Sequence, residues 1–299
     1  MKKDKLPISN QRKGIILAGG LGSRLSPITQ AISKQLVPIY DKPMIFYPLT
    51  TLMLIGIKEI LIITTPGSMM AFKDLLGNGN HFGISIEFAV QQEPKGLPEA
   101  FIIAEKFINK SPVALILGDN LFHGKDLSLS FKNASFNKIG GTVFAYSVRD
   151  PERYGVAIFN EKNEIIDIVE KPESHISRWA ITGLYFYDNS VVERSKLLKP
   201  SKRGELEITD LNNSYLRDGL LRIEKMGRGM VWLDTGNFDS LHEASSYIRT
   251  LEHRQGLKVG CPEEVAWRLG LIDDKKLESN AKDHLKSGYG EYLLKLLEK

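Results

Sequence analysis

Short apolar runs rich in β-branched residues alternate with stretches of helical spacing through the first half of the chain, and this restricts the fold more than any other feature. The runs are GIILA (14–18), EILIIT (59–64), ISIEFAV (84–90) and VALILGD (113–119). Helices are predicted near 43–56, 68–76 and 97–109, the last with Leu97, Phe101, Ala104 and Ile108 at helical spacing. Strands that are apolar along their whole length are buried on both faces, and intervening helices supply the crossovers between parallel neighbours. The pattern predicts an α/β fold with a Rossmann-like, mostly parallel central sheet flanked by helices. Ligands of such sheets bind at the carboxyl ends of the strands. The glycine loop after 14–18 and Asp119-Asn120 both fall at such ends.

Beyond residue 141 the strands TVFAYSV, GVAIF, EIIDIV and ITGLYFYD follow with shorter links, as expected if the sheet continues with an excursion that covers the ligand. MVWLD (230–234) is a further strand, and from NFDSLHEASSYIRTLEHR (237–254) onward the chain reads as helical. HLKSGYGEYLLKLLEK places Leu285, Tyr289, Leu293 and Leu296 along one helical face. With no internal repeat and no low-complexity linker, a single compact unit is expected: an α/β domain over 13–240 and a helical C-terminal region, 241–299, packed on it.

The 299 residues are 42% hydrophobic and 25% charged, which suits a globular chain with a large core. Lys and Arg exceed Asp and Glu by only 40 to 36, with no arginine-rich block, which argues against nucleic acid as a partner. The single cysteine, Cys261, rules out an internal disulfide and a cysteine-based metal site, and fits a reducing cytosol. The opening MKKDKLPISNQRK is polar, unlike a signal peptide, and reads as a solvated tail. Runs such as MLIGI and VALIL are too short to span a bilayer. A cytoplasmic protein without a membrane partner is expected.

In GGLGSR (19–24), bare backbone amides meet one fixed, forked cation, a combination suited to phosphate. It is not a Walker loop, since the chain's only Gly-Lys pair, Gly124-Lys125, is followed by Asp126. Nor is it the dinucleotide fingerprint, whose third glycine is replaced by Leu25. Taken alone, the loop is as consistent with a plain turn. Its company is more specific: SKQLVPIYDKP, LGDN (117–120), RYGV (153–156), VEKPE (169–173), GELEITD (204–210) and VWLDTG (231–236). Together these motifs resemble the sugar-phosphate nucleotidylyltransferases from about Gly14 to past residue 240. SKQLVPIYDKPMIFYPLTTLM and GELEITDLN are similar to the thymidylyl-transferring members. The chain carries Ser23 where the family usually has Thr, and Pro98 and Glu99 where it usually has Ala and Gln.

The resemblance implies attack by the phosphate oxygen of glucose 1-phosphate on the α-phosphorus of dTTP, giving dTDP-glucose and pyrophosphate, the first step toward dTDP-rhamnose. A related enzyme using UTP or another sugar phosphate is the alternative. The attacking oxygen is already anionic, so the chemistry needs charge compensation rather than a side-chain nucleophile. By the resemblance, Arg24 and Lys34 hold the triphosphate, and Asp119 and Asp234 hold Mg2+. Gly19, Gly20, Gly22, Ser23, Gln35, Gln91 and Gly96 complete the nucleotide site. Lys171 meets the sugar phosphate, with Asn120, Tyr154, Gly155, Glu170, Ile181 and Trp232 around the sugar. Plainer roles remain open for several: strand-end turns for the aspartates, a surface turn for Lys171, and core packing for Tyr154, Ile181 and Trp232. His123 is expected in a loop, with no second histidine or cysteine at metal spacing. A non-catalytic subunit of the same fold would be expected to lose Arg24, Lys34 or an aspartate, and all are present. The resemblance further implies a homotetramer, with end-product dTDP-rhamnose acting at a second nucleotide site between subunits.

Overall fold

The computed structural model describes residues 12–20 and 22–298. The expected solvated tail lies outside the described residues except at its end, and there it is corrected: Arg12 is buried, with its guanidinium on backbone carbonyls. The first half runs β1 (Lys13–Ala18), a hairpin of β2 (Pro38–Ile39) and β3 (Lys42–Pro43), α1 (Phe46–Ile55), β4 (Glu59–Thr64), α2 (Met69–Leu76) and β5 (Ser85–Val90). Next come α3 (Glu99–Ile103), α4 (Glu105–Ile108), β6 (Val113–Leu117), β7 (Asn120–Gly124) and α5 (Leu127–Phe136). The one helix expected over 97–109 is thus two short ones, parted at Ala104, whose ψ of 4° interrupts the helical path. The strand expected over 113–119 stops at Leu117.

The second half continues with β8 (Gly141–Ser147), β9 (Gly155–Phe159), β10 (Ile165–Glu170), β11 (Trp179–Tyr187), α6 (Val191–Leu197), α7 (Ile208–Arg217) and β12 (Leu221–Lys225). It closes with β13 (Met230–Asp234), α8 (Phe238–Gln255), α9 (Pro262–Arg268), α10 (Asp274–Lys282) and α11 (Gly288–Lys295). The main sheet has the order β10-β9-β11-β6-β1-β4-β5, with β8 pairing both β11 and β12. Strands β6, β1, β4 and β5 are mutually parallel, as are β8 and β12, whereas β11 runs antiparallel to β6, β8 and β9.

Both faces of the sheet are covered, as the unbroken apolar runs require. Along β1, Ile15 and Leu17 pack on one side with Phe101, Ile108 and Tyr215, while Ile16 and Ala18 pack on the other with Leu49, Leu52 and Phe72. The C-terminal helices join the second layer through Ala266, Leu277, Ala281 and Leu293. The final amphipathic helix is shorter than its spacing suggests. Leu285 lies before α11 and is exposed, because the chain turns at 284–287 and the backbone of Gly290 packs against that of His284 and Ala281.

Strand order locates the binding crevice. From β1 the chain steps outward through β4 to β5, then returns to β6 on the opposite side of β1. This reversal is a topological switch point, and it opens a crevice beyond the carboxyl ends of β1 and β6. The glycine loop and Asp119 leave the sheet there side by side, with Gly118 N–H donating to Leu17 O at 2.9 Å.

Candidate active site

The glycine loop is shaped by one residue and anchored by another. Gly22 adopts φ 62°, a left-handed conformation that costs other residues energy, and a β-carbon there would stand 2.9 Å from Thr29. It opens a single 3-10 turn, Ser23–Leu25, whose Leu25 is fully buried and pins the loop to the core. Ser23 and Arg24 are consequently left exposed at the mouth of the crevice. Apart from its chain neighbours, no heavy atom of the described residues lies within 4 Å of the place a Gly20 side chain would occupy.

Asp119 and Asp234 are brought together by a ribbon that the sequence pattern does not announce. β13 is not part of the main sheet. It pairs antiparallel with β7, setting Asp234 opposite Asn120, the neighbour of Asp119. Thr235 closes the arrangement by donating its N–H and its hydroxyl to Asp119 O, at 3.2 and 2.8 Å. Lys34, 6% exposed, forms an ion pair with Asp119 Oδ2. Burial alone would raise the Asp119 carboxyl, but the Lys34 charge, its hydrogen bond and that of Asn120 outweigh it and hold the group below its ordinary value. Asp234 is shifted the other way, upward, by burial and then by the charge of Asp119, against the opposing pull of Lys34, Arg153 and Arg24. Two carboxylates crowded enough to repel, with cations disposed around them, fit a divalent ion. Among the described residues no group of three or more His, Cys, Asp or Glu forms a closed cage. Magnesium suits such a site, since it is commonly held by one or two carboxylates together with substrate phosphates and water.

Asn120 is nearly fully buried and keeps this corner in place. It donates to Asp119 Oδ1 at 2.9 Å, while its own Oδ1 accepts from Trp232 Nε1 at 2.5 Å and Gly183 N at 3.1 Å. Trp232 therefore works through its indole N–H as well as its bulk. Its ring centroid lies 5.1 Å from that of Tyr154, whose hydroxyl is pushed up to about 12 by burial and then by Asp234. Gln35 is buried against Gly118 and accepts the Ser33 hydroxyl at 2.8 Å, so it supports the loop from behind. Ile181 is a core residue of β11. His123 is a strand residue of β7, not a loop residue as expected, because the ribbon with β13 extends to Gly124. Its Nδ1 lies 2.9 Å from the Tyr247 hydroxyl.

A cavity of about 230 Å3 opens beside the glycine loop, and Gly20, Gln91, Gly96, Glu170, Lys171 and Arg203 contribute to its wall. Lys171 has φ 42° although it is not glycine and precedes proline, a setting that favours extended backbone. The strained turn is held by its N–H, which donates to Tyr154 O at 3.0 Å, and the half-exposed Lys171 side chain lines the cavity. Glu170 Oε2 accepts from the Thr209 hydroxyl at 2.5 Å, and Gly155 leaves room for that pair. Gly96, at φ 103°, lies so close to Leu206 that a β-carbon would fall 2.0 Å from its carbonyl oxygen, and Leu206 N bonds Lys95 O at 2.8 Å. The contact ties the loop carrying Gln91 to the segment carrying Arg203.

Two cations of the site were missed in the sequence. Arg203 immediately precedes GELEITD and lies outside that motif. It bonds Glu207 and lies 3.4 Å from Glu170 Oε1, facing the same space as Lys171. Arg153, the first residue of RYGV, bonds Asp150 through Nη1 and approaches Asp234 Oδ2 to 3.8 Å through Nη2, a buried atom without a hydrogen-bond partner among the described residues.

A crevice at the switch point, floored by paired carboxylates and ringed by cations, is suited to bringing two phosphorylated molecules together. Family comparison agrees: the model described as Nucleotidyl transferase matches residues 13–250, and the chain belongs to this family of enzymes. Among its relatives, the Neisseria meningitidis protein named glucose-1-phosphate thymidylyltransferase is 56% identical over 287 residues, covering 96% of this chain and 100% of that one. A crystal structure from Bacillus anthracis, provisionally called by the same name and containing sucrose, superposes with a TM-score of 0.74 at 42% identity, covering 80% of this chain and 95% of that one. A UDP-glucose pyrophosphorylase bound to UDP-glucose gives a TM-score of 0.70 at 26% identity over 80% of this chain and 99% of that one.

Proposed function

We propose that the chain joins dTTP and glucose 1-phosphate to give dTDP-glucose and pyrophosphate in a Mg2+-dependent reaction, the first step toward dTDP-rhamnose. One observation carries the reading: Gly20, Gln91 and Lys171, from three separate motifs, line one cavity, so groups suited to the nucleotide and to the sugar phosphate address the same space. Gln91 and Gly96 receive the base beside Gly19 and Gly20, while Arg24 and Lys34 take the triphosphate charge. Lys171 and Arg203 take the sugar phosphate, and Tyr154, Gly155 and Glu170 border the sugar. Asp119 and Asp234 hold the metal, which supplies charge compensation for the phosphates when bound. The protein's task is to align a ready-made phosphate oxygen with the α-phosphorus and to neutralise the departing pyrophosphate. All these residues lie within 13–240, assigned here as the catalytic domain, with 241–299 packed on it. The homotetramer and feedback site implied by the resemblance belong to the same proposal.

Pyrophosphate release across dTTP, UTP, CTP and GTP, each with several sugar phosphates, tests the reading. The highest kcat/KM is expected for dTTP with glucose 1-phosphate. Preference for UTP would favour the second reading, which the likeness to a UDP-glucose-bound pyrophosphorylase supports. Release from no combination would end both.

Gly20→Val is expected to abolish dTTP binding while leaving the fold intact. The added side chain enters space that is free of other described residues beyond its chain neighbours and is assigned here to the nucleotide. Calorimetric titration of dTTP into the folded variant is the measurement, and wild-type affinity would reduce the loop to a turn.

A further inference from the structure

Gln91 faces two different neighbours. Its side chain is buried, and Nε2 donates to Glu99 Oε2 at 2.7 Å. Its Oε1 points toward Gly19, so closely that a β-carbon on that glycine would stand 2.5 Å away. A primary amide turned by half a revolution exchanges nitrogen and oxygen with almost no change of shape, so hydrogen-bond partners decide its orientation. An ionised carboxylate only accepts hydrogen bonds, and Glu99 therefore admits the nitrogen alone. The same Glu99 oxygen lies 3.4 Å from the N–H of Lys95, next to Gly96, which fixes the base-facing loop to the start of α3.

We propose that Glu99 is a positioning residue that locks the Gln91 amide in one orientation and thereby sets which pyrimidine the site accepts. The inference rests on the function proposed above. Thymine and uracil present an N3–H donor beside a carbonyl acceptor. Cytosine presents an N3 acceptor beside an amino donor. One orientation of a side-chain amide complements the first pair, and the turned orientation complements the second. A locked amide reads one pattern and meets the other with donor against donor and acceptor against acceptor. An amide free to turn accommodates both.

The test is the ratio of kcat/KM for dTTP to that for dCTP, with glucose 1-phosphate, in wild type, Glu99→Met and Glu99→Gln. Methionine removes the acceptor at similar length, and the ratio is expected to fall by roughly tenfold or more, the range for losing one matched pair of base contacts. Glutamine keeps one acceptor oxygen and is expected to lie between methionine and wild type. KM for glucose 1-phosphate should stay near its wild-type value in both. A ratio unchanged in Glu99→Met, or equal rate losses with both triphosphates, would overturn the role of Glu99 while leaving the reaction standing. Should Glu99→Met fail to fold, the glutamine variant decides on the same criterion. Wild-type protein that turns over no triphosphate would remove the proposed function itself, and this inference with it.

Discussion

Asp119→Asn and Asp234→Asn are each expected to keep the fold and to lose roughly a hundredfold or more in kcat, measured as pyrophosphate release from dTTP and glucose 1-phosphate with saturating Mg2+. An amide preserves the shape of the carboxylate and deletes the charge proposed to hold the metal. The two variants should then part company in stability. Asp119 is held below its ordinary value by Lys34 and Asn120, so it contributes stability above the usual carboxylate range that is lost as pH falls through the lowered value. Asp119→Asn removes that contribution and leaves the buried Lys34 without its counter-charge, so Tm should fall. Asp234 is raised by burial and by Asp119, so the folded state disfavours its ionised form and carries that cost at neutral pH. In metal-free buffer Asp234→Asn should therefore raise Tm, with the gain vanishing in acid as the carboxyl of the wild type becomes neutral. Near wild-type turnover in both variants would refute the metal assignment.

The parallel half of the sheet was legible because its signal is local. GIILA, the ILII of β4 and VALIL are apolar without interruption, and burial on both faces is what such runs require. The crevice was legible for the same reason, since motifs standing at strand ends mark where ligands collect. The ribbon of β7 and β13 was not. NLFHG mixes polar and apolar residues in five positions, and its partner lies more than a hundred residues away, so nothing nearby declares it a strand. Without the ribbon, the adjacency of Asp119 and Asp234 rested on resemblance alone. Lys171 was recognised from its motif, but residues before proline favour extended backbone, and only the surrounding contacts reveal the left-handed turn.

The motif SKQLVPIYDKP shows how recognition and role can separate. Lys42 within it is buried and ion-paired to Asp41 and to Glu252, at 2.7 Å for the latter, fastening the β2–β3 hairpin to α8. It identifies the family from the sequence yet acts as a structural tie, whereas Lys34 in the same stretch lies on the site carboxylate. Spacing does not distinguish two lysines of one motif, and burial with partners does. Leu285 is the converse case, periodic with α11 yet outside it and exposed.

Arg12→Leu is expected to lower Tm by roughly 10 °C or more while leaving turnover per folded molecule unchanged. Arg12 is almost fully buried just before β1, and its planar fork donates to Ser135 O at 3.1 Å, Val113 O at 2.8 Å, Tyr187 O at 2.8 Å and Asn137 O. It thus joins the end of α5, the start of β6 and the end of β11. Burial lowers the guanidinium to about 10, against the pull of Asp188, and it stays charged at neutral pH. Its net value lies in what its removal would leave behind. An unsatisfied buried carbonyl costs about 1–3 kcal/mol, and stranding several would consume a large part of the 5–15 kcal/mol that typically separates folded from unfolded protein. Arg12→Lys should rescue little, because one ammonium cannot reproduce a fork aimed at separate elements. Turnover should survive because Arg12 precedes the amino end of β1, whereas the glycine loop leaves its carboxyl end. Thermal melts followed by circular dichroism, with activity normalised to folded protein, separate the two effects. A Tm within a degree of wild type in Arg12→Leu would show that these carbonyls find other partners.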